Sequence, residues 1–335
     1  MSATAARLPE DQIAALREKH YNATITHLDK PNDRLVRLRV RLDEDVREDG
    51  PALHYQPGQY TTLGLGYWED RLELAQAEAL DTRAMERVVK RAYSISCRLL
   101  DDAGDVAPAG DEAEPELYVA LVTEADKPPA FTPRLFLLKE GDRIQMGAKA
   151  KGHFTLGDPE VDGVRPTDNV VFAGTGTGEA PHNAMLSKLL AEGHQGKIAN
   201  ICCARYRSDL GYLDEHARLM EKFPGYRYVP LTTREPENRD KDHPQYVGAR
   251  YVQALMASPT AADELGFELD PATTKVFLCG NPAMIGIPNK DGHPDGRYPK
   301  PQGAVEVLEG LGFKAHEARP KEGEAPGNIF YEKYW

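Results

Sequence analysis

The sequence predicts two domains of different class. A small antiparallel β-barrel is expected over residues 21–160, an α/β domain with a parallel sheet over 161–335, and a helical extension over 1–20. Three observations predict this. Up to Leu156 the apolar residues alternate with polar ones in short runs, the period of half-buried strands. A stretch rich in Pro, Gly and Asp, Asp158 to Asp168, then interrupts the pattern. Beyond it, short apolar runs alternate with helical segments, as in a parallel sheet covered by helices.

Composition narrows the class. With 335 residues, 41% hydrophobic and 28% charged, the chain is long enough for two cores and has the balance of a globular protein. No run of eighteen apolar residues exists and the first ten residues lack a signal-peptide pattern, so a cytoplasmic protein off the membrane is expected. A net charge of −12 argues against nucleic acid, whose binding releases counterions from clustered lysine and arginine. The four cysteines, Cys97, Cys202, Cys203 and Cys279, have no cluster-ligand or zinc spacing, so no metal is expected and they read as reduced and buried.

In chain order, Pro9 to His20 has the spacing of a short helix. Thr24–Thr26 and Leu35–Leu42 read as antiparallel strands around a turn at Pro31–Asp33, and Pro57-Gly58 is a turn feeding the strand Gln59–Leu63. Tyr67 to Val89 reads as polar and partly helical, and Asp101 to Glu116, which has no lysine or arginine, as a solvated acidic loop. Leu117–Thr123 and Gly141–Met146 are further strands, and Lys151–Leu156 is expected to close the barrel. Between them Thr132 fits an N-cap with Pro133 at the first helical position. In the second half, strands are expected at 170–173, 197–204, 227–233 and 275–279, and helices at 182–191, 210–223, 249–256 and 302–311.

Two stretches carry chemistry. In Arg91-Ala92-Tyr93-Ser94, a strand places Arg91 and Tyr93 on one face. The guanidinium fork suits a pyrophosphate, the tyrosine ring suits a flat heterocycle, and Ser94 can donate a hydrogen bond to it. An edge strand with a snorkelling arginine would look the same in isolation. The second stretch is Gly174-Thr175-Gly176-Thr177-Gly178-Glu179-Ala180-Pro181, between an apolar strand and a helix. Small residues there let a backbone approach phosphates at a helix N-terminus, although G-x-G-x-x-G is not matched and a tight ligand-free connection stays open.

In order, the motifs resemble those of the ferredoxin/flavodoxin–NADP reductases, most of all the bacterial type, from about Thr24 to Trp335. Arg91-Ala92-Tyr93-Ser94 matches R-x-Y-S, Pro57-Gly58-Gln59 matches P-G-Q, and Thr132-Pro133-Arg134-Leu135 matches a helix that touches FAD. Gly176 to Pro181 matches G-T-G-x-x-P, Cys279-Gly280-Asn281-Pro282-Ala283-Met284 matches C-G-x-P-x-M, and Glu332-Lys333-Tyr334-Trp335 matches E-x-Y-W ends. The resemblance implies an FAD-binding β-barrel followed by a Rossmann-like NADP-binding domain whose C-terminal tail returns to the flavin. It implies that Arg91, Ala92, Tyr93, Ser94, Thr132, Thr177, Tyr334 and Trp335 contact FAD, with Tyr334 as a gate. Gly176, Gly280, Asn281, Pro282 and Met284 are implied at NADP, and Cys279, Tyr334 and Glu332 at the reacting centre. A terminal Tyr-Trp pair anchored in the core is the alternative for the tail.

Charge points to the coenzyme. A ribose 2′-phosphate calls for arginines, where NAD calls for an acid. Arg205, Thr233-Arg234 and Arg250 match the three positions of the bacterial 2′-phosphate pocket, and Arg205 and Arg234 each end an expected strand. Glu235 beside Arg234 leaves a surface ion pair open. The expected activity is hydride transfer from NADPH to FAD and single electrons onward to ferredoxin or flavodoxin, that is, a ferredoxin–NADP+ reductase. The alternatives are a reductase component for an oxygenase or cytochrome, and a low-turnover flavin-binding subunit. The segments 67–89, 101–116, 236–246 and 286–301 depart from the short bacterial pattern.

Overall fold

The computed structural model describes residues 7–46, 50, 52–289, 293–294, 296–316 and 326–334. The chain forms two compact units, one of Met1–Cys97 with Ala109–His153, the other of Arg98–Pro108 with Phe154–Trp335. No helix among the described residues is long and apolar enough to cross a membrane.

The first unit contains α1 (Glu10–His20), β1 (Ala23–Asn32), β2 (Leu35–Leu42), β3 (Leu53–His54), β4 (Tyr60–Gly66), α2 (Thr82–Met85) and β5 (Val88–Ser96). It continues through β6 (Asp111–Glu112), β7 (Glu116–Ala120), α3 (Thr132–Leu135) and β8 (Arg143–Met146). Six antiparallel strands close into a barrel in the order β1-β2-β7-β5-β4-β8. The period-2 pattern explains the closure: Val36, Leu38 and Val40 point into the barrel, while Arg37, Arg39 and Arg41 alternate outward on the same strand.

Several local expectations change in this unit. Thr132 is not the N-cap of α3: Phe131 takes that place and Thr132 is the first helical residue. Its hydroxyl instead accepts from Val122 N–H at 3.0 Å and donates to Val122 C=O at 3.1 Å, tying the helix to the chain after β7. The acidic stretch is not all solvated loop. Asp111–Glu112 pairs with Leu53–His54, and Glu116, 6% exposed, opens β7. Lys151 makes only an isolated bridge to Tyr60, and Phe154 to Leu156 lie in the second unit. The segment 67–89 holds a single helical turn, α2, and packs under α3. Its Glu78 takes both Nη atoms of the buried Arg134, at 3.2 and 2.8 Å.

The second unit contains β9 (Asn169–Thr175), α4 (Glu179–Ala191), β10 (Ile198–Ala204), α5 (Leu213–Lys222), β11 (Tyr226–Thr232), α6 (Pro236–Arg239), α7 (Val252–Met256) and α8 (Ala261–Leu265). It ends with β12 (Thr274–Gly280), α9 (Pro282–Ile285), α10 (Ala304–Gly310) and β13 (Ile329–Lys333). The sheet is parallel throughout, in the order β11-β10-β9-β12-β13. Val171, Ile201, Leu231 and Leu278 meet α7, α8 and α10 on one face. On the other face Phe172 and Phe277 pack with His182 of α4. This is the doubly wound arrangement that apolar strands require. The strand β13 is an addition to the sequence expectation, and it carries the C-terminal motif into the sheet edge.

Candidate functional site

In the first unit, β5 lies between β4 and β7 and presents the R-x-Y-S residues. Arg91 is exposed, and its Nη1 donates to the carbonyl of Lys90 at 2.9 Å. Ala92 is exposed, Tyr93 half-buried and Ser94 buried. Opposite them in register stand Thr62, Thr61 and Tyr60 of β4. The Tyr93 ring lies 5.5 Å from that of Phe131, and burial raises its hydroxyl pKa above the usual range. A cavity of about 290 Å³ opens between Tyr60, Thr61 and Thr62 and the turn that carries Lys149 and Lys151. Hydroxyls, ammonium groups and an aromatic ring beside the arginine strand make a donor set that fits an anionic, flat-ringed cofactor. The β4 residues were not singled out from sequence as binding groups; the register of β4 on β5 is what exposes them. Thr132 is buried, with its hydroxyl committed to Val122.

In the second unit, the glycine motif forms the turn from β9 into α4. Gly176 has φ 53°, open to glycine, and Gly178 sits so tightly that a Cβ on it would lie 2.4 Å from the carbonyl oxygen of Cys279. Gly280 has φ 119°, and its Cβ would meet Thr175 Oγ1 at 2.4 Å. The two motifs are therefore pressed backbone to backbone. Asn281 N–H donates to Thr175 Oγ1 at 2.8 Å, and Asn281 Oδ1 caps α9 by accepting from Ala283 N–H. Pro282 opens α9, while Met284 is buried in the core beneath it.

The same edge receives the C-terminal residues. Cys279 pairs in register with Gly174 of β9 and with Glu332 of β13. Burial raises the Cys279 thiol pKa, with the Tyr334 hydroxyl opposing the shift. Tyr334 N–H donates to Gly280 C=O at 3.0 Å, and its hydroxyl donates to Thr177 C=O at 3.2 Å. Glu332 is half-buried. Its Oε2 has no partner among the described residues, and burial pushes its carboxyl up to about 7. The structure thus joins Gly176, Thr177, Cys279, Gly280, Asn281, Glu332 and Tyr334 in one place. Trp335 lies outside the described residues.

Beside this turn, at the carboxyl ends of β10 and β11, three arginine segments are stitched together. Arg234 N–H donates to Arg205 C=O at 2.9 Å, Thr233 Oγ1 to Ala204 C=O at 3.3 Å, and Arg250 N–H to Thr232 C=O at 3.2 Å. Tyr251 is extended and takes the N-cap position, so α7 starts at Val252 rather than at 249. Arg205 and Arg234 are exposed and make no ion pair among the described residues, whereas Arg250 pairs with Glu264 at 2.5 Å. Glu235 does not neutralise Arg234: its carboxylate accepts from Arg207 N–H at 2.6 Å and caps α6. Two uncommitted guanidiniums at the strand edge fit a phosphate dianion.

Comparison with known proteins agrees with this geometry. The sequence model of the oxidoreductase NAD-binding domain family matches residues 172–290. A flavodoxin/ferredoxin–NADP reductase of Escherichia coli K12 is 27% identical over 235 residues, covering 70% of this chain and 77% of that protein. The reductase subunit of an aromatic O-demethylase from an Amycolatopsis strain is 30% identical over 149 residues, 44% of this chain and 39% of that one. In structure, a ferredoxin NADP+ reductase from Neisseria gonorrhoeae with bound FAD and NADP superposes with a TM-score of 0.63 at 20% identity, covering 93% of this chain and 97% of the other. With a six-stranded barrel, a parallel sheet and the motifs at the carboxyl edge of that sheet, the chain is similar in sequence and in fold to the flavodoxin/ferredoxin–NADP reductases.

Proposed function

We propose that this chain is an FAD-dependent reductase that takes a hydride from NADPH and passes single electrons to ferredoxin or flavodoxin. The observation that carries the reading is the pair of uncommitted arginines, Arg205 and Arg234, next to a glycine turn too tight for any other residue. Bound FAD supplies the exchange between a two-electron donor and one-electron acceptors. The chain's own residues bind and orient. Arg91 offers its fork to the FAD pyrophosphate, Ser94 a hydrogen bond and Tyr93 a ring face, with Ala92 leaving room beside them. Arg205, Thr233, Arg234 and Arg250 hold the 2′-phosphate of NADPH. Gly176 and the first turn of α4 receive its pyrophosphate, and Gly280, Asn281 and Pro282 shape the edge beyond it. Cys279 and Glu332 then border the nicotinamide, and Tyr334 must leave Thr177 to let it in. We infer a cytoplasmic protein, a reading supported by four buried cysteines outside any disulfide, which suit a reducing compartment.

The test is anaerobic titration of the purified yellow protein with NADPH, followed by mixing with ferredoxin and flavodoxin. Stoichiometric bleaching, reversed by either carrier, is expected. Colourless protein that cannot be reconstituted with FAD, or no bleaching by NADPH, overturns the reading. The likeness to the O-demethylase reductase subunit favours one second reading, electron delivery to an oxygenase component; bleaching by NADPH with no reoxidation by either carrier would select it.

A further inference from the structure

Behind the glycine turn lies a buried polar network that hydride transfer itself does not use. Glu179, the first residue of α4, follows Gly178 directly, yet its side chain is 1% exposed. Its Oε1 accepts from the Tyr228 hydroxyl at 2.8 Å and lies 3.1 Å from Nε2 of His216, which is 0% exposed. The other ring nitrogen of His216 lies 2.8 Å from the Tyr226 hydroxyl, and the imidazole stacks on the Tyr228 ring at 4.1 Å and 17°. Glu179 Oε2 has no partner among the described residues. Four side chains thus tie the first residue of α4 to α5 and β11.

We infer that Glu179 and His216 form a positioning pair that holds the first turn of α4, and with it Gly176–Gly178, in the shape that receives a nucleotide pyrophosphate. This rests on the assignment of the second unit to NADP(H). A carboxylate at a helix N-terminus is favoured by the dipole, but one removed from water depends on its partners. Here the His216 and Tyr228 contacts both sit on one oxygen, and the buried Cys202 thiol adds a side-chain hydrogen bond to the carboxylate. Without His216, the carboxylate relaxes toward water, and the nearest half-exposed backbone is that of Gly176 and Thr177. The turn then moves off its close seat on Cys279, and a negative charge approaches the place that a pyrophosphate would take. Removing both together takes away the buried carboxylate and leaves only neutral groups, the Tyr226 and Tyr228 hydroxyls among them, without these partners, so the double replacement is milder than the single one.

The test uses the full-length flavoprotein and two ligands, NADP+ and adenosine 2′-monophosphate, which carries the 2′-phosphate without a pyrophosphate. His216→Leu is expected to weaken NADP+ about 10-fold while changing the monophosphate less than about 3-fold, and Glu179→Leu/His216→Leu to recover NADP+ affinity to within about 3-fold. Tyr228→Phe, which removes only a hydroxyl, serves if His216→Leu does not fold: a loss of about 3-fold for NADP+ alone is expected. Equal weakening of both ligands, no weakening of either, or a double variant as weak as the single one overturns the inference. A wild-type protein that binds neither ligand would instead overturn the NADP assignment.

Discussion

On the proposed function, Arg205 and Arg234 would do for the coenzyme what a single acidic residue would do for its unphosphorylated form: make a dianion the better guest. A charge-assisted hydrogen bond is worth about 1.5–3 kcal/mol, so Arg234→Ala should raise the KM for NADPH roughly 10- to 100-fold and leave that for NADH within about 2-fold. Steady-state kinetics with both coenzymes decides it. Glu332 gives a pH test. Its carboxyl, raised to about 7, is neutral below that value and ionised above it, and an ionised group favours the cationic ring of NADP+. NADP+ affinity should therefore rise between about pH 6 and 8 by about 1 kcal/mol, roughly 5-fold, and Glu332→Gln should abolish the rise. Tyr334 is bonded to Gly280 and Thr177 and, on the proposed function, would compete with the nicotinamide for that edge. Tyr334→Ala should tighten NADP+ about 10-fold, and an unchanged affinity would remove the gate.

At the scale of elements, α4 carries a stability switch of its own. His182 is fully buried with neither ring nitrogen partnered among the described residues, and burial pushes its pKa down to about 3. Its folded value is depressed, so stability is intact above the unfolded value of about 6.5 and is lost progressively as pH falls from there toward 3. At pH 5 the loss is about 2 kcal/mol. His182→Leu should reduce the difference in urea-unfolding free energy between pH 8 and pH 5 by that amount. Much at this scale was legible in sequence: β2 because its arginines alternate with buried apolar residues, and β9 and β12 because both faces are covered. What was not legible depended on distant partners. Thr132 looked like a cap until Val122 took its hydroxyl, and Asp111–Glu112 looked like loop until β3 paired with it. β13 reads as a tail until Cys279 and Gly280 supply its ladder. The site motifs were legible because glycines and arginines bear chemistry at fixed spacing. The cavity at Tyr60 and Lys149 was not, because it exists only once β4 is registered on β5.

For the whole molecule the deciding quantity is the net charge of −12. An acidic carrier approaching it is repelled over about 30 Å in 10 mM salt and over about 10 Å in 100 mM salt. The second-order rate of electron transfer to an acidic ferredoxin should therefore rise at least about 2-fold between those salt concentrations, measured by stopped flow. A fall would show that a local basic surface, with exposed Lys149 and Lys151 of the first unit as its candidates, outweighs the total.

The polypeptide enters the second unit once with Arg98–Pro108, leaves, and returns at Phe154. That early visit is structural: the buried Ser187 hydroxyl donates to Ala107 C=O, and Lys222 holds Gly104 C=O and, at 3.0 Å, the Asp105 carboxylate. A gene fragment starting at Phe154 would thus encode a coenzyme half with one brace torn out and a buried hydroxyl orphaned. Chimaeras that exchange this half with another reductase must carry the eleven-residue loop along, spliced in as a separate piece.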